Sequence, residues 1–442
     1  MGAERSIIWF RRDLRIHDHP ALAHAGRDGR EVVPVFVLDP SLVRPSGTPR
    51  LAFMYRSLRA LDAALGGRLV VRHGDPDTMI PRLVAEAGAD EVVVTRDYAP
   101  YGRARDAAVA AALADAGVRF SGKGTPYAVA PGTVVKADGT PYAVFTPFSR
   151  AWREVGWPQP LAGDAHDVAV HRVRGLGSDG IPADPAIDCE LPPATEDAAH
   201  DQWESFVADG LDHYGARRNE PGVAGTSQIS LYLRWGQLHP RQMLADLGDS
   251  RSHDTFRKEL AWREFYADVL FHQPETARHN LQRKLDAMEL DEGAAARTRF
   301  DAWAEGRTGY PIVDAGMRQL LATGWMHNRV RMITASFLVK DLHLPWQWGA
   351  RHFMRHLVDG DLASNQHGWQ WTAGTGTDAA PYFRVFNPIT QGRKFDPDGD
   401  YVRRWVPGTE SVDDVHEPRQ PIVDHAVERA EALRRYQEAT GR

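Results

Sequence analysis

The chain carries one cysteine, Cys189, in 442 residues. A single thiol excludes an internal disulfide and any zinc or iron–sulfur centre built on several cysteines. No stretch approaches the ~18 consecutive apolar residues that a membrane-spanning helix requires. The opening MGAERSIIWFRRDLR has one short apolar run before two arginines and an aspartate, which is not the pattern of a secretion signal. These absences predict a cytoplasmic protein. The 19 histidines include no HExxH pairing, so a zinc-protease site has no support. GxGxxG and GxxxxGK(S/T) are missing too, which removes the usual dinucleotide and triphosphate fingerprints. No repeat at a fixed period is present. Excess charge is also scarce. The net value is −6, and residues 151–200, with three arginines against nine acids, account for all of it. A basic face for nucleic acid therefore has to arise from clustering in three dimensions.

What is present is an ordinary globular composition, 43% hydrophobic and 25% charged, long enough for two or three domains. The first 130 residues alternate short apolar runs (Ser6–Phe10, Val32–Leu38, Leu69–Arg72, Glu91–Thr95) with helix-like segments (Arg50–Leu65, Thr78–Ala87, Arg103–Ala116). That alternation predicts a doubly wound parallel sheet covered by helices on both faces. Residues from about 132 to 199 are rich in Pro, Gly, Ala and Asp and read as a linker, with a short helix at Phe148–Val155 and least pattern over 186–200. Beyond residue 200 the chain turns aromatic and helical, with a further helix at Ala426–Glu438. The expected fold is an α/β N-terminal domain (1–130), a long linker (131–200) and an all-α domain (201–442).

Four motifs carry chemistry. Asn328, Arg331, Met332, Ala335 and Val339 share one helical face, where a core helix would place only aliphatic residues. Thr226, Ser227 and Ser230 put three hydroxyls ahead of Leu231–Leu233, suited either to a phosphate or to a plain helix cap. Glu259, Trp262, Arg263 and Tyr266 form one helical stripe able to grip a base, or equally a surface ion pair beside a packed ring. Asp359 and Asp361 lie on a turn and can hold an arginine or the N–H edge of a heterocycle. A metal is not expected there, because no further ligand has suitable spacing. Asn365, Trp369 and Trp371 close the segment.

Taken in order, WFRRDLR (9–15), Gly225-Thr226-Ser227, WREFY (262–266), TGYPIVDAGMRQL (308–320), GWMHNRVRM (324–332), DGDLASN (359–365), GWQW (368–371) and TGTDAAPYFRVFNP (375–388) resemble the photolyase/cryptochrome family. The likeness is strongest to bacterial class I enzymes that repair cyclobutane pyrimidine dimers. It implies an antenna pigment in the N-terminal domain and a U-shaped FAD, fully reduced when active, in the helical one. Tyr214, Thr226, Ser227, Gln228, Ile229 and Ser230 would hold the FAD phosphates and ribityl chain. Arg331 and Asp359, with Gly360, would lie near the isoalloxazine, Asp361 at its N–H edge and Asn365 by N5. Glu259, Trp262, Met332 and Trp371 would line the pocket for a flipped dimer. Arg218, Asn328 and Arg329 would stand close by, with Arg263 and Tyr266 on the same DNA-binding stripe.

Trp369 and Trp346 would belong to an electron relay, whose usual third tryptophan is missing from DAMELDEG (286–293); Trp303 is the candidate substitute. Tyr101 and Gly102 stand where folate-binding members carry polar residues, which favours 8-hydroxy-5-deazaflavin over methenyltetrahydrofolate as antenna. The implied partner is UV-damaged DNA, single- or double-stranded, and the implied state a monomer without metal. The alternatives are a cryptochrome-like photoreceptor without repair and a (6-4) photolyase. Glu259, Met332 and the short tail after residue 410 favour dimer repair.

Overall fold

The computed structural model describes residues 4–161, 168, 170, 171, 173, 175–377 and 384–441. Five parallel strands, β1 (Arg5–Phe10), β2 (Glu31–Leu38), β3 (Val70–His73), β4 (Glu91–Val94) and β5 (Arg119–Gly122), form one sheet in the order β3-β2-β1-β4-β5. The crossovers carry α1 (Pro20–Ala25), α2 (Thr48–Ala64), α3 (Pro76–Ala87) and α4 (Pro100–Asp115). Pro20, Pro76 and Pro100 each open their helix, where a fixed φ is preorganised and no N–H is missed. Alternation along the strands sends side chains to opposite faces. Ile7, Trp9 and Val35 meet Ile80 of α3 and Val109 of α4, whereas Ile8, Phe10 and Phe36 meet Leu22 of α1 and Phe53 of α2. The sheet is doubly wound, as its sequence pattern predicts.

The second of these faces is continuous with the helical part of the chain. Tyr232, Trp235, Phe256 and Phe265 belong to the same buried cluster as Phe10 and Phe53. The connecting segment is tied down as well. Its helix α5 (Phe145–Val155) buries Phe145, Phe148 and Trp152, one face at steps of three and four. The helix starts three residues ahead of its expected position. α6 (Glu196–Asp209) begins inside the stretch expected to be least patterned, because Thr195 caps it by accepting the Ala198 N–H and two acids occupy the first turn.

The helical region then runs through α7 (Ser230–Trp235), α8 (Arg251–His272), α9 (Gly293–Ala304), α10 (Pro311–Thr323), α11 (Asn328–Lys340), α12 (Trp346–His356), α13 (Leu362–Ala373) and α14 (His425–Thr440). α13 is central, packing on α8, α11 and α12. Gly349 permits one of these contacts, since a Cβ there would lie 2.1 Å from the Trp369 ring. No helix among the described residues is long and apolar enough to cross a membrane.

Candidate flavin and lesion site

The turn between α12 and α13 gathers arginines from both halves of the molecule. Arg331 Nη2 donates to Asp359 Oδ2 at 2.8 Å, and the Ser230 hydroxyl donates to the same oxygen at 2.6 Å. Asp359 Oδ1 is buried and has no partner among the described residues. An unsatisfied buried carboxylate oxygen is costly unless a ligand N–H completes it. Gly360 offers its carbonyl to Arg234 Nε at 2.9 Å and to Arg50 Nη1 at 2.7 Å. A Cβ at Gly360 would stand 2.8 Å from that Arg50 nitrogen, so glycine permits the approach.

Asp361 accepts from Arg12 Nη2 at 2.7 Å and caps α13 by accepting the Ser364 N–H at 3.2 Å. Burial alone would raise its pKa. The guanidiniums of Arg12, Arg263 and Arg234 outweigh burial and hold the carboxyl well below the usual range. Burial next to Arg12 pulls Arg50 down to about 10. Arg12 and Arg50 come from the α/β half, a cross-domain contribution that was not assigned from the sequence. Arg12 stands inside the WFRRDLR motif, so the signal was available.

The hydroxyl segment is shaped differently from a phosphate-binding helix start. α7 has only six residues, Ser230 is engaged with Asp359, and Gln228 takes a left-handed φ of +52°. Ser227 is buried with its carbonyl accepting from Gln202 at 3.0 Å, and Thr226 is half-buried. Ile229 is packed into the core. Tyr214 is buried edge-on against Phe256, and burial pushes its phenol well up. Asn365 Nδ2 donates to the Ala350 carbonyl and to Gln366 Oε1, which fixes the amide.

A second cluster adjoins on α8 and α11. Glu259 is half-buried and accepts from Arg218 Nη1, whose guanidinium lies 5.5 Å over the Tyr214 ring. Burial would lower Arg218, but Glu259 outweighs it and holds the cation above its ordinary value. Arg329 donates to Asn219 Oδ1 at 2.7 Å and lies 4.4 Å over Phe395. Met332 and Trp371 are half-buried and Asn328 is exposed. Trp262 is half-buried with one face stacked on Phe145, centroids 3.6 Å apart. Tyr266 tilts against Trp262 and stacks on His367.

Arg263 is a correction. Its guanidinium donates to the carbonyls of Pro126 and Leu233 and lies 4.6 Å over Tyr127, so its donors are used at the domain junction rather than presented to DNA. The neighbouring turn of α8 shares this junction: Glu264 accepts from Val129 N–H and from Trp152 Nε1.

The aromatic surroundings of Trp369 also differ from a simple Trp369–Trp346 pair. Trp369 meets Phe353 at 5.0 Å and Trp303 at 6.1 Å. Trp346 is buried with its N–H on Asn280 Oδ1 at 2.8 Å. Segment 286–293 holds no aromatic residue and lies under α14, through Arg435–Asp291 at 2.7 Å. Of the 375–388 motif, residues 378–383 lie outside the described residues.

A flat cofactor with an N–H edge suits the orphaned Asp359 oxygen, and an α/β domain joined to a helical domain with this buried Arg–Asp turn at their junction is the two-domain class that fold and site define. A family model described as DNA photolyase matches residues 6–164, and one described as the FAD binding domain of DNA photolyase matches 256–438. The deoxyribodipyrimidine photo-lyase of Vibrio cholerae is 37% identical, over 98% of this chain and 100% of its own length. The structure of a class III photolyase from Agrobacterium tumefaciens superposes with a TM-score of 0.92 at 36% identity, covering 100% of this chain and 99% of that one. A Synechocystis cryptochrome superposes with a TM-score of 0.90 at 25% identity, covering 98% of this chain and 100% of that one. The chain belongs to the DNA photolyase family.

Proposed function

We propose that this protein is a light-driven deoxyribodipyrimidine photo-lyase that splits cyclobutane pyrimidine dimers in UV-damaged DNA. The observation that carries the reading is the Glu259 carboxylate, held by Arg218 one helical turn from the half-buried Trp262 on α8. FAD, when bound in its fully reduced form, would on excitation lend one electron to the dimer and take it back once the two carbon–carbon bonds joining the pyrimidines have opened. The chain's own residues bind, orient and exclude water. Asp359, steadied by Arg331 and Ser230, would accept from the cofactor's N–H edge through its unpartnered oxygen, while Tyr214, Thr226, Ser227, Gln228 and Ile229 would hold the rest. Asp361, already engaged by Arg12, would face the same N–H edge. Trp262 and Trp371 offer flat walls to the dimer. Flipping is comparatively cheap because a damaged pair is weakly stacked. Glu259 hydrogen-bonds the pyrimidine and favours added electron density on it, and Arg218, Asn328 and Arg329 take neighbouring phosphates.

The test uses pre-reduced protein and an oligonucleotide with a single thymine dimer, under blue light and in the dark. Light-dependent return of thymine absorbance supports the proposal, and bound, photoactive flavin with no thymine recovered overturns it. A (6-4) reading needs an acidic histidine in the pocket. His327 is buried, and burial and the Arg331, Arg329 and Arg218 charges lower it to about 4; its Nδ1 accepts the Arg329 N–H, so it stays neutral. A purely signalling photoreceptor has no use for the Glu259 arrangement.

The antenna is proposed to occupy the carboxyl ends of β1 and β4, where the strand order reverses. Trp9 Nε1 is buried there without a partner among the described residues, beneath the guanidiniums of Arg11 and Arg105. Tyr101 is engaged with Asp39, and Gly102 backs Asp97 so closely that a Cβ would meet its carboxylate at 2.2 Å. Neither offers an amide to a folate, which supports 8-hydroxy-5-deazaflavin over methenyltetrahydrofolate. Mass analysis of the acid-released pigment decides between them. For photoreduction of oxidised flavin, Trp369 would give up an electron and be refilled by Trp303, its edge-on indole neighbour at 6.1 Å, which an external thiol would reduce in turn. The protein acts as a monomer in the cytoplasm.

A further inference from the structure

Phe145 lies in the connecting segment, outside the sequence motifs that carry the family likeness. Its ring lies on Trp262 with centroids 3.6 Å apart and planes 7° from parallel. Side chains on one helix do not produce this stack, since Phe145 opens α5 and Trp262 sits mid-way along α8. Phe145 is 7% exposed and braced edge-on by Phe265 at 5.9 Å. Further along α5, Phe148 packs on Phe265 at 5.1 Å and the Trp152 N–H bonds Glu264 at 2.5 Å. The brace therefore reaches α8 through three side chains, Phe145, Phe148 and Trp152.

A half-buried indole has two faces, and here one is taken. Tyr266 tilts at 44° against the ring at 5.4 Å, limiting the remaining direction of tilt. An indole pinned on one side presents its other face at a fixed height and angle. A base arriving at that face then finds a preformed platform and loses less on ordering it.

We infer that Phe145 is a positioning residue for lesion recognition: it backs Trp262 and sets the plane on which a flipped pyrimidine stacks. This rests on the proposed role of Trp262 as a wall of the dimer pocket. The connecting segment is thereby part of the recognition site, although it places no group against the lesion.

The test is a double-mutant cycle on the flavin-loaded protein, with Phe145→Leu, Trp262→Leu and the pair. Dissociation constants are measured for an oligonucleotide with one thymine dimer and for its undamaged twin. Flavin content and thermal midpoint are recorded for each variant. Phe145→Leu is expected to weaken dimer binding about three- to tenfold, the cost of ordering one loosened side chain on binding, with no change for undamaged DNA. In the Trp262→Leu background the same change is expected to do nothing, and Phe145→Tyr is expected to restore wild-type affinity. A structural role alone would lower the midpoint and weaken both DNAs equally. If Trp262→Leu weakens dimer binding and Phe145→Leu does not, or if the two effects multiply, the inference is overturned while the wall reading stands. If Trp262→Leu leaves dimer binding unchanged, the wall reading and the inference fall together. Should Phe145→Leu lose its flavin, Phe145→Met carries the same comparison with more of the side-chain volume kept.

Discussion

Asp361→Asn isolates the charge that joins the two halves of the molecule. Asparagine keeps an oxygen for the Ser364 N–H, so the cap of α13 survives. What is lost is the negative charge facing Arg12, Arg263 and Arg234. Removing one partner of a buried pair costs ~3–5 kcal/mol, because the other charge is left uncompensated. An unfolding entropy of ~2.1 cal/mol/K per residue over 442 residues gives about 0.9 kcal/mol per degree, so the midpoint should fall ~3–5 °C. The carboxyl is depressed in the fold, so its contribution is complete above the unfolded value near ~4 and is lost as pH falls through the folded one. The gap between wild type and variant should therefore hold constant from pH ~8 to ~5 and narrow only below ~4. Flavin release and circular dichroism on the holoprotein read both quantities. Arg12→Gln should cost a similar amount, and the double variant less than the sum of the two. A midpoint within ~1 °C of wild type, or additive losses, refutes the pairing argument.

Other outcomes are equally direct. Glu259→Ala should lower the repair yield with flavin content unchanged, as judged by thymine recovery against flavin absorbance; lost flavin instead would show that the carboxylate serves the cofactor. Trp262→Ala should weaken binding of dimer-containing DNA by about 1–3 kcal/mol in a titration, and unchanged affinity removes it from the pocket. Trp303→Phe should slow light-driven reduction of oxidised flavin by an external thiol several-fold, while repair by chemically reduced protein stays at the wild-type rate; equal photoreduction rates dismiss the relay step. Burial lowers His352 to about 3, His327 to about 4 and His367 to about 4. The unfolded chain, with histidines near ~6.5, takes up those protons first, so stability should decline as pH drops from ~6.5 toward ~4. His352→Phe, which keeps a ring against Phe300 and Trp303, should flatten that decline in melts at several pH values; an unchanged slope refutes the assignment.

The sequence carried the sheet because strands buried on both faces read as uninterrupted apolar runs, from Ile7 to Phe10 and from Val32 to Leu38. β5 was missed for the converse reason. Arg119–Gly122 is a short edge strand whose residues are half-buried or exposed, so no apolar run marks it. The Arg331–Asp359 pair was legible because both residues stand in long motifs. Arg263 was misread because helical spacing gives a stripe but not the direction a long side chain takes, and Tyr127 and two carbonyls draw it inward. Phe145 could have been found from the spacing of Phe145, Phe148 and Trp152, which is as regular as that of any helix in the chain. What hid it was composition, since the prolines and glycines around it read as a loose connector.

The connector and Arg12 point to one principle of construction. The turn at 359–361 belongs to the helical half, yet Asp361 is balanced from the loop after β1 through Arg12 and Gly360 from α2 through Arg50. Trp262, the proposed lesion-side ring, belongs to α8, yet Phe145 of α5 lies flat against it. In both cases the reacting side of a residue lies in the helical part and its supporting side comes from outside it. Support of this kind fixes a geometry without occupying the pocket, which electron transfer over a short, dry gap requires. It follows that loosening the junction should degrade both functions in order. Arg12→Gln should disturb the cofactor side while leaving discrimination of damaged from undamaged DNA intact, and Phe145→Leu should do the reverse. Flavin retention and the ratio of the two DNA affinities separate the effects, and a variant that moved both together would mean that the junction acts only as general scaffolding.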